Sequence, residues 1–85
     1  RNLKYVIVII FRDNKITIAV DALIDALKDN DWLLRYKAAQ VLGEMKIKRA
    51  AEDLREVLKK DKEQLVREIA AESLKAITGI SYTVE

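Results

Sequence analysis

Apolar side chains recur at helical spacing through most of the chain. Ala19, Val20, Leu23, Ile24 and Leu27 fall on one side of a helical period while Asp21, Asp25 and Lys28 fall on the other, which predicts an amphipathic helix over 17–28. Leu34, Ala38, Val41, Leu42 and Met45 form a second stripe opposite Lys37, Gln40 and Glu44, and predict a helix over 31–45. Leu54, Val57 and Leu58, then Val66, Ile69, Ala70, Leu74 and Ile77, predict two more over 48–60 and 63–78. Asp31 and Asp61 stand where N-caps are wanted, and Asp61 with Gln64 has the spacing of a capping box. Glu63 and Arg67 are placed for an i, i+4 ion pair, and Gly79 for ending the last helix ahead of a short tail, 80–85.

The four segments are two copies of one unit. Shifting 19–28 by 31 residues superposes Ala19 on Ala50, Leu23 on Leu54, Leu27 on Leu58 and Lys28 on Lys59, with Asp21 and Asp25 meeting Glu52 and Glu56. Shifting the following segment by 32 brings Leu34-Arg35, Ala38-Ala39 and Leu42 onto Val66-Arg67, Ala70-Ala71 and Leu74. A period of this length is the signature of stacked helical hairpins, each unable to bury its apolar face alone. The paired alanines sit mid-helix, where small side chains let neighbouring axes approach closely. The expected fold is all-α: one domain over 1–85, a short solenoid with a degenerate half repeat (1–16), repeats at 17–46 and 47–79, and the tail.

The run from Ala19 through Leu23-Ile24, Leu27-Lys28-Asp29, Asp31-Trp32, Leu34-Arg35, Ala38-Ala39 and Leu42-Gly43-Glu44 resembles the HEAT-like repeat of the phycobilisome-lyase type. The second unit follows more loosely, with Lys75 where the first has Gly43. The resemblance implies a structural ladder of hydrogen-bonded charges between successive units, carried by Asp29 and Arg35, then Asp61 and Arg67. It also takes in lyases and a metal-dependent hydroxylase whose repeats carry His-Glu ligands. That activity does not carry over, because the chain has no histidine, and the lyase name describes a repeat rather than a chemistry.

The N-terminal stretch breaks the pattern. Val6-Ile7-Val8-Ile9-Ile10 is an unbroken β-branched run, yet Leu3, Tyr5, Lys15 and Ile16 match Leu34, Tyr36, Lys46 and Ile47 at an offset of 31. A degenerate helix is favoured and a β-hairpin through Arg12-Asp13-Asn14-Lys15 is the alternative. Either form is apolar on every side and needs cover. Tyr5, Val6, Val8, Ile9 and Phe11 are therefore the expected contact in a homodimer or with upstream repeats; the chain begins at Arg1 rather than Met. The run from Tyr5 to Phe11 is far shorter than the roughly 20 apolar residues a membrane span requires, so a cytoplasmic protein with no membrane partner is expected.

Composition narrows the chemistry. With no histidine and no cysteine among 85 residues there is no imidazole base, thiolate nucleophile, disulfide or usual zinc site, and no cofactor is expected. Asp21 with Asp25, and Glu68 with Glu72, are i, i+4 carboxylate pairs, which on an exposed face serve solvation rather than catalysis. The expectation is a chain that is not an enzyme. Net charge is only +2 at 35% charged residues, which makes nucleic acid a weak candidate despite the basic clusters Lys46-Lys48-Arg49 and Lys59-Lys60-Lys62. If nucleic acid binds, Lys46, Lys48 and Arg49 are the contacts. The stronger candidate is a protein or peptide partner held by Trp32, Tyr36, Lys37, Gln40 and Glu44 on the first inner helix and Glu72 and Lys75 on the second, where mixed charges favour a protein surface over a polyanion. The expected function is a non-catalytic interaction or scaffold module.

Overall fold

The computed structural model describes residues 16–83, with side chains from Ala19 onward. Among the described residues four α-helices follow one another: α1 (Ile16–Ala26), α2 (Trp32–Glu44), α3 (Ala51–Lys60) and α4 (Gln64–Thr78). No strand occurs among the described residues. The β-branched N-terminal run, with Tyr5, Val6, Val8, Ile9 and Phe11, lies outside them. The helices make two hairpins, α1–α2 and α3–α4, stacked mainly through α2 against α4. This is the short all-α solenoid that the repeat predicts.

Each helix gives the core its repeat-equivalent leucine. Leu23 and Leu54, an offset of 31 apart, and Leu42 and Leu74, an offset of 32 apart, are fully buried. Between them Ala38, Ala39, Ala70 and Ala71 are all buried, so the seam between inner helices is built from the smallest side chains that still favour a helix. The closest approach falls one turn further along. Ser73 is buried and donates its hydroxyl proton to the Ala39 carbonyl across the seam at 2.6 Å. Gly43 faces Ser73 so closely that a Cβ there would lie 2.3 Å from its Oγ.

The helix ends depart from expectation in three places. Asp31 caps α2, its carboxylate accepting from the Leu33 N–H at 3.0 Å. Asp61, by contrast, is not the N-cap of α4 and forms no capping box with Gln64: it closes α3, and Glu63 precedes α4 without a side-chain cap. Aligned at 32 residues, Asp61 is the counterpart of Asp29 rather than of Asp31. Both carboxylates accept from the N–H two residues on, Asp31 in one turn and Glu63 in the other. Second, the Arg67 guanidinium turns back to the Asp61 carbonyl instead of pairing with Glu63. Third, 48–60 is not one α-helix, because Lys48–Ala50 forms a 3₁₀ turn ahead of α3. Lys46 enters it at a φ of 53°, in the left-handed region. Ile47 N–H then reaches the Leu42 carbonyl and Lys46 N–H the Gly43 carbonyl, the paired bonds of a Schellman stop, with lysine where glycine is usual.

Candidate functional site

A guanidinium ties the two turns together. Arg35, on the first turn of α2, is only 7% exposed and the Asp61 side chain only 5%. Its Nε donates to Asp61 Oδ2 at 2.8 Å and its Nη2 to Oδ1 at 3.1 Å, a two-pronged pairing across the units. Its Nη1 donates to the carbonyls of Asp29 at 2.8 Å and Asn30 at 3.1 Å, the turn that precedes its own helix. The bond to the Asp61 carboxylate raises the Arg35 pKa above its ordinary value despite the opposing effect of burial, so the side chain stays charged throughout the accessible range. Arg67 repeats the local half of this arrangement, donating Nη1 to the Asp61 carbonyl at 2.5 Å.

The inner helices form the second feature, an open groove of about 210 Å³. Gln40, Glu44 and Glu72 line it together with Gly43 and Ser73. The groove exists because those two small residues bring α2 and α4 close while leaving no side-chain bulk above the contact. Lys37 and Lys75 are exposed but do not line it. Trp32 and Tyr36 stand two turns and one turn upstream of Gln40 on α2, packed edge to face with ring centroids 6.5 Å apart. Tyr36 is half-buried against the core, whereas Trp32 is 39% exposed.

Two further residues belong beside Trp32 and are not apparent from helical periodicity. Leu33 and Leu65, an offset of 32 apart, are 48% and 54% exposed at the starts of α2 and α4. Each directly precedes a residue of the buried stripe, Leu34 or Val66, and that adjacency hides them in a hydropathy pattern. Their recurrence in both units is the available signal.

The basic cluster is split by the fold. Lys46 and Lys48 are exposed at the turn between units, but the Arg49 guanidinium is ion-paired with Asp21 of α1. In the other cluster Lys60 pairs with Glu56 at 3.6 Å. At the end of the stack the tail returns over the second hairpin, where the Arg55 guanidinium beside the Tyr82 hydroxyl holds that phenol below its ordinary pKa, with a smaller contribution from Thr78.

Residues 3–75 match the family model for HEAT repeats. A deoxyhypusine hydroxylase of Debaryomyces hansenii is 42% identical over 60 residues, 69% of this chain and 19% of that protein. The chain thus spans under a fifth of its relative's length. No solved structure gives a significant match. The relative corrects one expectation drawn from composition, that the chain is not an enzyme, because the protein it resembles carries an enzyme's name. The residues do not fit the His-Glu metal ligands tied to the hydroxylase resemblance: the sequence has no histidine, and among the described residues no three potential ligand side chains converge. Among the described residues no helix is long and apolar enough to cross a membrane. With a family match over most of its length and two helical hairpins stacked through a seam of small residues, the chain belongs to the HEAT-repeat family.

Proposed function

We propose that this chain is a protein-interaction or scaffold module of the HEAT type, with units of the phycobilisome-lyase kind at 17–46 and 47–79, working in the cytoplasm. Its docking strip is the inner face of α2 and α4. The observation that carries this reading is the gathering of Gln40, Glu44 and Glu72 from two helices onto one groove, with Trp32 and Tyr36 upstream on α2. Two carboxylates in an open groove select a partner segment that brings lysine or arginine, and an exposed tryptophan supplies the apolar anchor common at interface hot spots. Lys37 and Lys75 lie outside the groove and set register at its margin.

Selection of displayed peptides on the intact chain tests this. The recovered ligands are expected to carry basic residues, and Glu44→Lys combined with Glu72→Lys is expected to weaken them by about tenfold or more. Trp32→Ala should weaken them comparably, and Lys59→Glu should leave them unchanged. Ligands indifferent to all three inner-face substitutions would overturn the reading. Duplex DNA, added as a control at low salt, discriminates the nucleic-acid alternative: binding that falls steeply with salt and with substitution of Lys46 and Lys48 would favour it.

The hydroxylase relative favours a second reading, in which the module forms part of an enzyme acting on deoxyhypusine. Expression in yeast cells lacking their own deoxyhypusine hydroxylase tests it, scored by mass spectrometry as the gain of one oxygen on the deoxyhypusine residue. Restored product supports this reading, and its absence at normal expression of the chain removes the version in which these residues suffice for the activity.

A further inference from the structure

We infer that the α2/α4 groove continues upstream into an apolar end made by Leu33 and Leu65, and that the whole strip takes a basic amphipathic helix of a partner protein; this rests on the groove reading proposed above. On α2 the row Leu33, Lys37, Gln40 and Glu44 runs at i, i+4, i+7 and i+11, the spacing of a single helix face. On α4 Leu65, Ile69, Glu72 and Ala76 repeat that spacing at an offset of 32. Gln40 and Glu44 from the first row, and Ile69, Glu72 and Ala76 from the second, line the groove, which fixes the side toward which both rows point. The two leucines therefore lie in line with the groove, 48% and 54% exposed at its upstream end. Trp32 flanks them, about a quarter turn round α2.

The strip changes character along its length. Leucines stand at one end, and Glu72 and Glu44 follow roughly 10 and 16 Å further along their helices. Neither carboxylate is ion-paired among the described residues, where the cations engage Asp21, Glu52, Asp53, Glu56 and Asp61 instead. Lys37, one turn beyond Leu33, repels a cation placed beside the leucines, so basic residues of a partner are accepted only at the far end. The backbone of α2 and α4 is spent on their own hydrogen-bond ladders, which leaves only side chains to offer. An extended segment covering the strip would lack partners for its own N–H and C=O groups, whereas a helix arrives with them satisfied. The occupant that meets these demands is a helix with apolar residues at one end and lysine or arginine about two and three turns away on the same face.

The probe is a synthetic alanine-rich peptide of about twenty residues, with two leucines one turn apart and two lysines about two and three turns before them. Titrated against the full chain by fluorescence anisotropy, it is expected to bind. Leu33→Ser and Leu65→Ser replace exposed side chains, so each should leave the thermal melt unchanged and weaken the peptide about tenfold. Moving the peptide's lysines half a turn, onto its opposite face, should cost as much. Glu44→Gln should weaken the lysine peptide and leave unchanged a peptide with glutamine in place of both lysines. Binding that depends on Glu44 and Glu72 but is indifferent to both leucine substitutions would overturn this inference and leave the groove reading standing. Failure of the probe to bind, while displayed peptides still depend on Glu44 and Glu72, would do the same. A concentration-dependent dimer of the chain alone that Leu33→Ser dissolves would also overturn it, since the apolar end would then belong to a second copy.

Discussion

Replacing Asp61 by alanine is expected to remove about 3–5 kcal/mol of folding stability, the usual consequence of deleting one partner of a buried ion pair. Arg35 would keep its bonds to the Asp29 and Asn30 carbonyls but lose both bonds from Nε and Nη2, leaving a charged fork out of water with half its donors unmet. The Glu63 N–H loses its acceptor in the same stroke. A domain of this size has on the order of 4–13 kcal/mol in hand, so the variant should lose a large share of its stability, read as a marked fall of the urea midpoint by circular dichroism. Asp61→Asn keeps one acceptor oxygen and should lose less. Arg35→Met leaves the Asp61 carboxylate buried without its cation and is expected to cost a similar amount, whereas the combined Arg35→Met and Asp61→Ala variant, which leaves no uncompensated ion, should be milder than the sum of the two. If the alanine variant keeps its midpoint within experimental scatter, the pair does not hold the units together.

Gly43→Ala is the second large effect, at about 2–3 kcal/mol of destabilisation. On an exposed helix the same change would stabilise, by roughly 1 kcal/mol of intrinsic propensity, so the sign of the result is itself diagnostic. The new methyl carbon would lie 2.3 Å from Ser73 Oγ, 2.5 Å from its Cβ and 2.6 Å from its Cα. Rotating the serine relieves only the first of these. The helices must part, and the Ser73 hydroxyl bond to the Ala39 carbonyl goes with the separation. Adding Ser73→Gly should therefore rescue the variant only in part, since the backbone Cα still blocks the methyl. A thermal melt of the two single variants and the double variant distinguishes these outcomes.

What could be read in advance divides along physical lines. The buried leucines and paired alanines were legible because periodic burial writes itself directly into hydropathy and because two copies of one unit corroborate each other. Gly43 against Lys75 looked like a weakening of the repeat, but the structure gives it a reason: Gly43 lies in the seam against Ser73, whereas Lys75 is exposed. Less could be read at the helix ends. Asp61 has the local spacing of a capping box with Gln64; that its carboxylate goes instead to Arg35, 26 residues earlier, follows from the charge ladder the resemblance implies and not from local spacing. Lys46 in the left-handed region carries no glycine to announce it. The inner-face residues Gln40, Glu44 and Glu72 were placed on one side by helical geometry, but their sharing of a groove depends on how near α4 comes to α2, which Gly43 and Ser73 set. Leu33 and Leu65 are not legible as exposed positions, because each adjoins a residue of the core stripe and the pair looks like one stripe until packing fixes the helix phase.

The two edges of the stack are fastened unequally. At the hairpin turns Arg35 clasps Asp61 in a dry, two-pronged bond, whereas the opposite edge has the solvated pairing of Arg49 with Asp21, whose side chains are about half or more exposed. Exposed ion pairs of that kind contribute little and weaken with salt. Added salt, or substitution of Arg49, should therefore disturb the stack far less than substitution of Arg35.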